Sequence, residues 1–375
     1  MTKERIWLSS PHMGGREQHY INSAFQTNWI APLGPNVQGF ESDLENYLAN
    51  ESHVAALASG TSAIHLALIL LGVGRGDEVL CQSLTFSASA NPISYLGAQP
   101  IFVDSEESSW NISPELLENA IIDRLSQGKK PKAIIAVHLY GMPCDVLALN
   151  RISSKYKIPI IEDSAEALGS EYLGMRCGSL GDFSILSFNG NKIITTSGGG
   201  ALVCRDQEAK KKAVFLATQA RDEAPHYQHS QIGYNYRMSN VVAGIGRGQM
   251  EVLDDRVEAR RRNYEYYKSR LSGLPGISFL DEPKGVKSNR WLTCILLDSY
   301  ETREKIRLEL EAHNIESRPI WKPMHLQPVF QCYPSYVNGV SEDLFNRGLC
   351  LPSGSNLTDE DLIITSGLIR KSIIR

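Results

Sequence analysis

The chain has 375 residues, more than one hydrophobic core usually holds, so we expect a large domain and a smaller one. Hydrophobic residues make up 42% and charged residues 21% of it, as in soluble globular proteins. The formal net charge of -4 gives no electrostatic reason to expect binding to nucleic acid or to an anionic membrane. The seven dispersed cysteines form no CxxC pair, which predicts reduced, buried thiols, no metal site and a cytoplasmic enzyme.

The segment Met1 to Ser10 contains no apolar signal region and no small-residue cleavage site. The longest apolar stretch, Ala63 to Leu71, includes His65 and is far too short to span a bilayer. We therefore expect a soluble protein that does not insert into a membrane.

Short β-rich runs alternate with helix-like segments between His53 and Cys204. Several runs are continuously apolar, as expected where helices cover both faces of a mostly parallel sheet. The pattern predicts an α/β core with a seven-stranded sheet. The predicted strands are His53–Ala58, Glu78–Cys81, Gln99–Val103, Ala133–Val137, Pro159–Ile161, Phe183–Ser187 and Ala201–Cys204. The predicted helices between them are Thr61–Leu71, Phe86–Leu96, Pro114–Leu125 and Cys144–Lys155.

A long helical pattern follows this core, with apolar residues at three- and four-residue steps from Met238 to Leu253. The break at Leu274-Pro-Gly indicates a nearby domain boundary. We predict a large domain over residues 1–270 and a small C-terminal α+β domain over residues 271–375. The small domain is expected to contain a strand (Trp291–Leu297), a helix (Thr302–His313) and a Pro-rich segment (Arg318–Pro328).

Three segments at strand ends carry the candidate chemistry, because ligands bind there in open α/β sheets. The first, Ser59-Gly60-Thr61-Ser62, leads from a strand directly into a helix. Gly60 allows close approach of a ligand, and the first helical turn presents N–H groups to an anion. The alternative is an ordinary helix cap by Ser59 or Thr61 with nothing bound.

Asp163 ends the second segment, the apolar run that begins at Ile160. A carboxylate there is costly unless a cation or good donors meet it. The pyridinium nitrogen of pyridoxal 5'-phosphate (PLP) is one such cation, and an Asp that keeps it protonated makes the ring an electron sink. The alternative is an Asp that caps the following helix.

Lys192, in the third segment, follows the strand Phe183–Ser187 and precedes a triple glycine that leaves room beside a ligand. A deprotonated lysine amine reacts with an aldehyde. The alternative is a surface lysine in a flexible loop. The order of phosphate turn, aspartate, lysine and glycines favours a PLP site.

Together these segments resemble fold-type I PLP aminotransferases, and specifically the DegT-type sugar aminotransferase family. The resemblance runs from Ser9-Ser-Pro-His-Met-Gly-Gly to Leu351-Pro-Ser-Gly and includes Gly233-Tyr-Asn-Tyr-Arg-Met. It implies the PLP-dependent transferase fold and a homodimer with shared active sites. Within the family, the lysine segment looks most like the transaminase of the bacillosamine branch of bacterial glycosylation. That enzyme aminates a UDP-linked 4-keto-6-deoxy-N-acetyl sugar with glutamate as donor.

The resemblance also implies roles at the cofactor. Lys192 would hold PLP covalently and move the proton between substrate and cofactor, Asp163 would pair with the pyridine nitrogen, and Phe86 would stack on the ring. Glu166 lies where relatives carry Gln or His near the phenolic oxygen of PLP. Because an ionised Glu166 would repel a phenolate, it is either protonated there or makes a different contact. The residues implied to hold the phosphate are Gly60, Thr61, Ser187 and, from the second subunit, Asn235.

Two further segments are implied to line the nucleotide-sugar site. Lys322 and His325 are chemically suited to diphosphate oxygens. Arg318 is suited to the same oxygens or to the carboxylate of the amino donor. The implied substrate-binding residues are Asn28, Trp29, Ile30, Ala31, Arg318, Lys322, Met324 and His325.

Alternative functions stay open at this point. The amino acceptor could be a GDP- or dTDP-linked sugar, or a 3-keto sugar. A sugar dehydratase is opposed by Lys192, because such relatives carry histidine there. A non-catalytic regulator with the same fold is opposed by the intact Lys192, Asp163 and Asn235.

Four other features have simpler interpretations. His65 is expected to be a core histidine with a satisfied ring, and His138 either makes a local hydrogen bond or lies beside the substrate. The run Arg260-Arg261-Arg262 is expected on a solvated helix face. Close packing at a dimer contact is expected for Gly244, Gly246 and Gly248.

Overall fold

The computed structural model describes residues 4–374, and its strands form three sheets. In chain order the strands are β1 (His53–Leu57), β2 (Glu78–Gln82), β3 (Gln99–Val103), β4 (Ala133–Val137), β5 (Ile160–Asp163), β6 (Glu171–Tyr172), β7 (Met175–Arg176), β8 (Phe183–Ser187), β9 (Gly200–Cys204), β10 (Ser278–Phe279), β11 (Val286–Lys287), β12 (Thr293–Leu296), β13 (Arg318–Pro319), β14 (Ser335–Tyr336) and β15 (Gly348–Leu351).

Two helices precede β1, four alternate with the first five strands, and the rest follow β9. In chain order they are α1 (Glu17–Gln26), α2 (Pro35–Leu48), α3 (Gly60–Leu70), α4 (Ser87–Tyr95), α5 (Pro114–Ser126), α6 (Val146–Tyr156), α7 (Gln207–Ala217), α8 (Asn240–Met250), α9 (Leu253–Leu271), α10 (Tyr300–Ala312), α11 (Val340–Arg347) and α12 (Asp359–Ile374).

The large sheet has eight strands in the order β1-β9-β8-β5-β4-β2-β3-β14. Strand β9 is antiparallel to β1 and β8, whereas the pairs from β8 to β14 are parallel. Along β1, Ala55 and Leu57 belong to one buried cluster, and Val54 and Ala56 belong to another. Both faces of the sheet are therefore covered, which explains why its strands read as continuous apolar runs.

The predicted α/β fold with a mostly parallel sheet is confirmed, and all seven predicted core strands are present near their predicted bounds. The sheet has one strand more than predicted. Strand β14, from the C-terminal part, pairs with β3 at the edge. A two-residue strand is too short to produce a periodic pattern, so the sequence carried no sign of it.

The C-terminal part forms a four-stranded antiparallel sheet in the order β10-β12-β15-β13, packed with α10 and α12. The predicted boundary after residue 270 falls at the last turn of α9. The two parts exchange segments, because β14 joins the large sheet and Ile6 bridges Ile315 beside the small one. The division into two domains stays a prediction.

The pattern from Met238 to Leu253 forms two helices rather than one long helix. Helix α8 begins after Ser239, whose hydroxyl accepts a hydrogen bond from the Val242 amide, and α9 begins at Leu253. The glycines of α8 pack within the chain rather than at the predicted dimer contact. A Cβ on Gly246 would lie 2.7 Å from the Phe40 ring, and one on Gly248 would lie 2.5 Å from the Glu17 amide nitrogen.

Cysteine burial agrees with the sequence at six positions, whereas Cys332 is exposed and corrects the prediction. Over residues 4–374, no helix combines the length and the apolar character needed to cross a bilayer.

Candidate active site

A cavity of about 600 Å³ lies at the carboxyl ends of the parallel strands. Residues that follow β1, β2 and β5 line it, together with the end of β8. Parallel strands place their carboxyl ends at one edge, so segments far apart in the sequence meet there. The cavity brings together Gly60, Thr61, Phe86, Asp163, Glu166, Ser187, Lys192 and Arg318 from the predicted set.

The turn after β1 is both a helix cap and a wall of the cavity. Ser59 accepts a hydrogen bond from the Ser62 amide at 3.0 Å, so the predicted capping is present. A Cβ on Gly60 would lie 3.3 Å from the Ser187 Cβ, and a Cβ on Gly200 only 2.3 Å from the Gly60 nitrogen. Position 200 therefore requires glycine for this close approach, and a side chain at position 60 would be tight. The helix N-terminus faces a hydroxyl-lined space that suits a phosphate.

Asp163 ends β5 and is buried, with its carboxylate on the cavity. Ser89 donates to Oδ2 at 2.6 Å, and the Ala165 amide donates to Oδ1 at 3.2 Å. These two donors hold the carboxylate in place, and a pyridinium N–H on the cavity side would complete its pairing.

Lys192 and Glu166 face each other in the cavity, with 3.3 Å between Nζ and Oε1. The amine also lies 4.2 Å from the centre of the Trp291 ring. The Tyr140 amide donates to the other Glu166 oxygen at 2.7 Å. Burial raises the pKa of Glu166 to about 7; the charge of Asp163 adds to the rise, and Lys192 opposes it. A carboxyl that titrates near neutrality favours the first of the two alternatives for Glu166, a protonated group beside the cofactor.

Aromatic rings and one ion pair line the outer part of the cavity. The Phe86 and Trp321 ring centres are 5.6 Å apart, and the buried Tyr140 ring packs behind the cavity wall, 4.9 Å from Trp321. Arg318 is exposed and pairs with Glu316 at 2.7 Å. The space thus changes from a buried, charged end at Lys192 to an aromatic and exposed end at Arg318.

Several predicted residues lie outside the cavity of their own chain. Asn235 is exposed and pairs through its backbone with Thr218. The carbonyls of Trp29 and Ala31 accept hydrogen bonds from Asn240 in α8. The residues that the structure does not bring to the cavity are Asn28, Trp29, Ile30, Ala31, Asn235, Lys322, Met324 and His325.

Met324 and His325 are held by other contacts. The Met324 side chain is buried in the core beside α3 and α4, which leaves it no access to a ligand. The His325 Nδ1 lies 2.6 Å from the Ser83 hydroxyl, and burial lowers the pKa of His325. A neutral imidazole is a weaker partner for a diphosphate than the sequence suggested.

His138 makes the local hydrogen bonds of its simpler interpretation. Its Nδ1 accepts from the Cys144 amide at 3.0 Å, which leaves the proton on Nε2, 2.8 Å from Glu162. His138, Glu162 and Cys177 bring potential metal ligands within 4.8 Å of one another. Despite burial, hydrogen bonds from His138, Gly178 and Ser184 lower the pKa of Glu162 to about 2. Because protein donors already satisfy this carboxylate and both ring nitrogens are used, we assign no metal here.

His65 is a core histidine, as expected, with Nδ1 3.1 Å from the Tyr236 hydroxyl. Arg260 corrects a prediction, because its side chain is only 1% exposed and not on a solvated face. The guanidinium donates to the carbonyls of Trp291 and Ser353 and to the Ser9 hydroxyl.

Sequence reasoning missed three residues of the site. Ser89, which holds Asp163, lies one helical turn after Phe86, so the spacing could have revealed it. Trp291 and Glu316 come from the C-terminal part, and no local pattern links them to the strand ends.

A parallel α/β sheet that presents a lysine, a buried aspartate and a glycine-bounded helix start to one cavity is typical of fold-type I PLP enzymes. The family model for the DegT/DnrJ/EryC1/StrS aminotransferase family matches residues 11–366. The chain belongs to this aminotransferase family, which uses PLP.

Two relatives and one solved structure illustrate how similar this chain is to other members of the family. The protein EpsN of Bacillus subtilis (strain 168) is 52% identical over 96% of this chain and 93% of its own. GDP-perosamine synthase of Escherichia coli O157:H7 is 38% identical over 96% of both chains. The solved structure of Spr1654 from Streptococcus pneumoniae in its PLP form has a TM-score of 0.92 at 27% identity, covering 99% of both chains.

Proposed function

We propose that the chain transfers the amino group of glutamate to the 4-keto carbon of a UDP-linked 4-keto-6-deoxy-N-acetyl sugar. The product would be a UDP-4-amino-4,6-dideoxy sugar for glycan biosynthesis, made in the cytoplasm. The observation that carries the proposal is the single cavity that holds Lys192, Glu166 and Asp163 at its buried end and Arg318 at its exposed end.

PLP, when bound, supplies an aldehyde that carries the amino group between donor and acceptor, and a ring that withdraws electrons from the reacting carbon. The Lys192 amine holds the cofactor and then moves the proton at the reacting carbon, which its position at the buried end supports. Asp163 keeps the pyridine nitrogen protonated, with Ser89 holding its carboxylate. Gly60, Thr61 and Ser187 receive the phosphate, and Phe86 covers the ring.

The exposed end of the cavity suits a nucleotide sugar. Trp321 offers a flat apolar surface for a sugar or base, next to the Phe86 ring whose centre lies 5.6 Å away. Arg318 offers a bidentate donor to a diphosphate or to the carboxylate of glutamate, and Glu316 fixes its direction. The placement of Lys322 and His325 outside the cavity leaves Arg318 as the principal cation for this role.

We propose further that two copies complete each other's sites through Asn235. Asn235 is exposed in its own chain, and the same segment exposes two large apolar side chains, Tyr227 at 78% and Ile232 at 84%. A second copy would cover this apolar surface and receive Asn235 at its phosphate.

A GDP-linked keto-sugar is the second candidate substrate, favoured by the 38% identity to a GDP-perosamine synthase. The deciding experiment incubates the holoenzyme and glutamate with UDP-, GDP- and dTDP-linked keto-sugars and measures the amino sugar by mass spectrometry. The proposal expects fastest product formation with the UDP-linked 4-keto sugar. Faster turnover of the GDP-linked sugar selects the second candidate, and no amine from any keto-sugar contradicts both.

A further inference from the structure

Arg260, in the middle of α9, is a cation buried without an acid. Its side chain is 1% exposed, and within the described part of the chain no carboxylate lies within ion-pair distance. Burial, with the charge of nearby Arg256, lowers the pKa of Arg260 to about 9. Burying a guanidinium without a carboxylate partner costs free energy of folding. Its hydrogen-bond partners therefore indicate which segments it holds in place.

Three of its four partners lead to the lysine segment, and the fourth is the Ser353 carbonyl at 3.3 Å. One terminal nitrogen donates to the Trp291 carbonyl at 2.6 Å. The other donates to the Ser9 hydroxyl at 3.0 Å and to the Lys192 carbonyl at 3.5 Å. Ser9 in turn donates to the Asn191 carbonyl at 2.6 Å, and the Trp291 indole donates to the same oxygen at 2.7 Å.

The two carbonyls of Asn191 and Lys192 belong to the peptide groups on either side of Lys192. Arg260 holds one directly, and it holds the other through Ser9 and Trp291. The Trp291 ring also lies 4.2 Å from the Lys192 amine. The two peptide groups that flank Lys192 and the Trp291 ring beside its amine are therefore linked to one buried guanidinium, directly or through Ser9 and Trp291.

We propose that Arg260 is a positioning residue that clamps the backbone of Lys192, so that the amine faces Glu166 and the cofactor space. This clamp, the set of hydrogen bonds that links Arg260, Ser9 and Trp291 to Asn191 and Lys192, joins the N-terminal segment, the lysine segment and the C-terminal part at one point. The inference rests on the use of PLP by this family and not on which sugar is aminated.

The test measures how fast PLP attaches to Lys192, from growth of the visible band after PLP is added to cofactor-free protein. Arg260→Met removes the clamp, and we expect attachment to slow by about tenfold or more, because small displacements of a reacting group are costly. Arg260→Lys keeps the charge with fewer donors and should give an intermediate rate.

Arg261→Met is the matched control. Arg261 is the next residue of α9. Like Arg260 it donates to a backbone carbonyl, that of Ser288, and unlike Arg260 it makes an ion pair, with Glu282. This variant should destabilise the protein yet leave the attachment rate within about threefold of wild type, because these contacts do not reach Lys192. An equal slowing in Arg261→Met and Arg260→Met would reduce the role of Arg260 to general stability and overturn the proposal.

Backbone amide exchange in the cofactor-free protein is the second readout. Arg260→Met should speed exchange over residues 189–194, whereas Arg261→Met should do so only near its own partners. Wild-type attachment together with unchanged exchange at 189–194 would also overturn the proposal. If Arg260→Met does not fold, Ser9→Ala decides, because it removes only the hydroxyl between Arg260 and Asn191. Faster exchange at 189–194 in that variant supports the clamp, and unchanged exchange contradicts it.

Discussion

Lys192 is the residue whose loss should have the largest effect on activity. Lys192 is the one lysine among the described residues that line the cavity. A covalent link to the cofactor needs an amine at this point. Lys192→Ala should abolish turnover and the visible absorbance of lysine-bound PLP, both measured on purified protein. Lys155→Ala, at an exposed lysine of α6, should retain both. Comparable activity in Lys192→Ala would show that another group carries the chemistry.

Asp163 should control the rate through the cofactor ring rather than through stability. Asp163→Asn and Asp163→Ala should lower kcat by orders of magnitude, because a ring nitrogen without a carboxylate partner loses its proton. Ser89→Ala removes only the donor at 2.6 Å and should have a smaller effect. Steady-state kinetics and circular dichroism separate activity from folding. Near-normal kinetics in both Asp163 variants would show that Asp163 only accepts the local hydrogen bond from the Ala165 amide and has no role at the cofactor.

Glu166 should make the stability of the cofactor-free protein depend on pH. Its pKa rises from 4.5 to about 7 on folding, so between these values the folded state keeps a proton that the unfolded state has lost. The free energy of unfolding should therefore fall by about 3 kcal/mol as the pH rises through this window.

Glu166→Gln lacks this dependence, so the difference between variant and wild type in urea unfolding at about pH 4.5 and about pH 8 isolates the effect of Glu166. Glu107→Gln, at an exposed carboxyl, should keep the wild-type slope. Parallel pH dependences in wild type and Glu166→Gln would mean that Glu166 titrates like an exposed carboxyl.

At single positions, sequence reasoning succeeded where the chemistry is local. Gly60 and Lys192 follow strands and Asp163 ends one, so the strand pattern alone placed them at one edge. Arg260 was misread because its neighbours are charged, and a run of charged residues does not show which side chain faces inward. Trp291 could not be placed, since nothing in its own segment indicates a contact with Lys192.

Among the elements, the buried strands were predictable and the N-terminal helices were not predicted. Helix α2 carried a usable signal, because Val37, Phe40, Leu44 and Leu48 recur at three- and four-residue steps and are buried. Helix α1 gave little signal, since Ala24 is its one buried apolar residue. Its position depends on contacts with α8, which is a tertiary effect.

Helix α8 packs so closely against α1 that Gly248 should not tolerate a side chain. A Cβ there would lie 2.5 Å from the Glu17 nitrogen and 2.8 Å from its Cα, which are backbone atoms that cannot move aside. Gly248→Ala gains up to about 1 kcal/mol of helix propensity but overpacks a backbone contact, so we expect a net loss of about 1–2 kcal/mol.

Gly367→Ala is the matched substitution in α12, because a Cβ there meets nothing within 4 Å. It should leave stability unchanged or raise it by up to about 1 kcal/mol. Urea unfolding of both variants measures the difference. Equal stability of Gly248→Ala and Gly367→Ala would show that α1 and α8 can move apart without cost.

For the whole molecule, the cavity depends on contacts between the two ends of the chain. Lys192 comes from the segment after strand β8 of the large sheet, Trp291 and Arg318 come from the C-terminal part, and Ser9 comes from the N-terminal segment. The strand pattern established the edge of the sheet where the site lies. It could not show which C-terminal residues close the cavity, because that depends on packing between distant segments rather than on any local period.

The proposed sharing of active sites between two copies predicts that two inactive variants restore each other. In a mixed dimer of Lys192→Ala and Asn235→Ala chains, one site keeps both its own Lys192 and the Asn235 of the other chain. If Asn235 acted within its own chain, one site would lack the lysine and the other the asparagine, so nothing would recover. With random exchange of subunits, we expect about a quarter of wild-type activity, because half of the dimers are mixed and each has one intact site.

This complementation must be measured where Asn235→Ala is inactive alone. Losing one charge-assisted phosphate contact costs about 1.5–3 kcal/mol, which excess PLP would mask, so the cofactor should be limiting. Two differently tagged Lys192→Ala chains, mixed in the same way, are the control and should remain inactive. Light scattering at the assay concentration checks that a dimer is present. A monomer that turns over substrate, or no recovery in the mixed dimers, would show that each chain completes its own site.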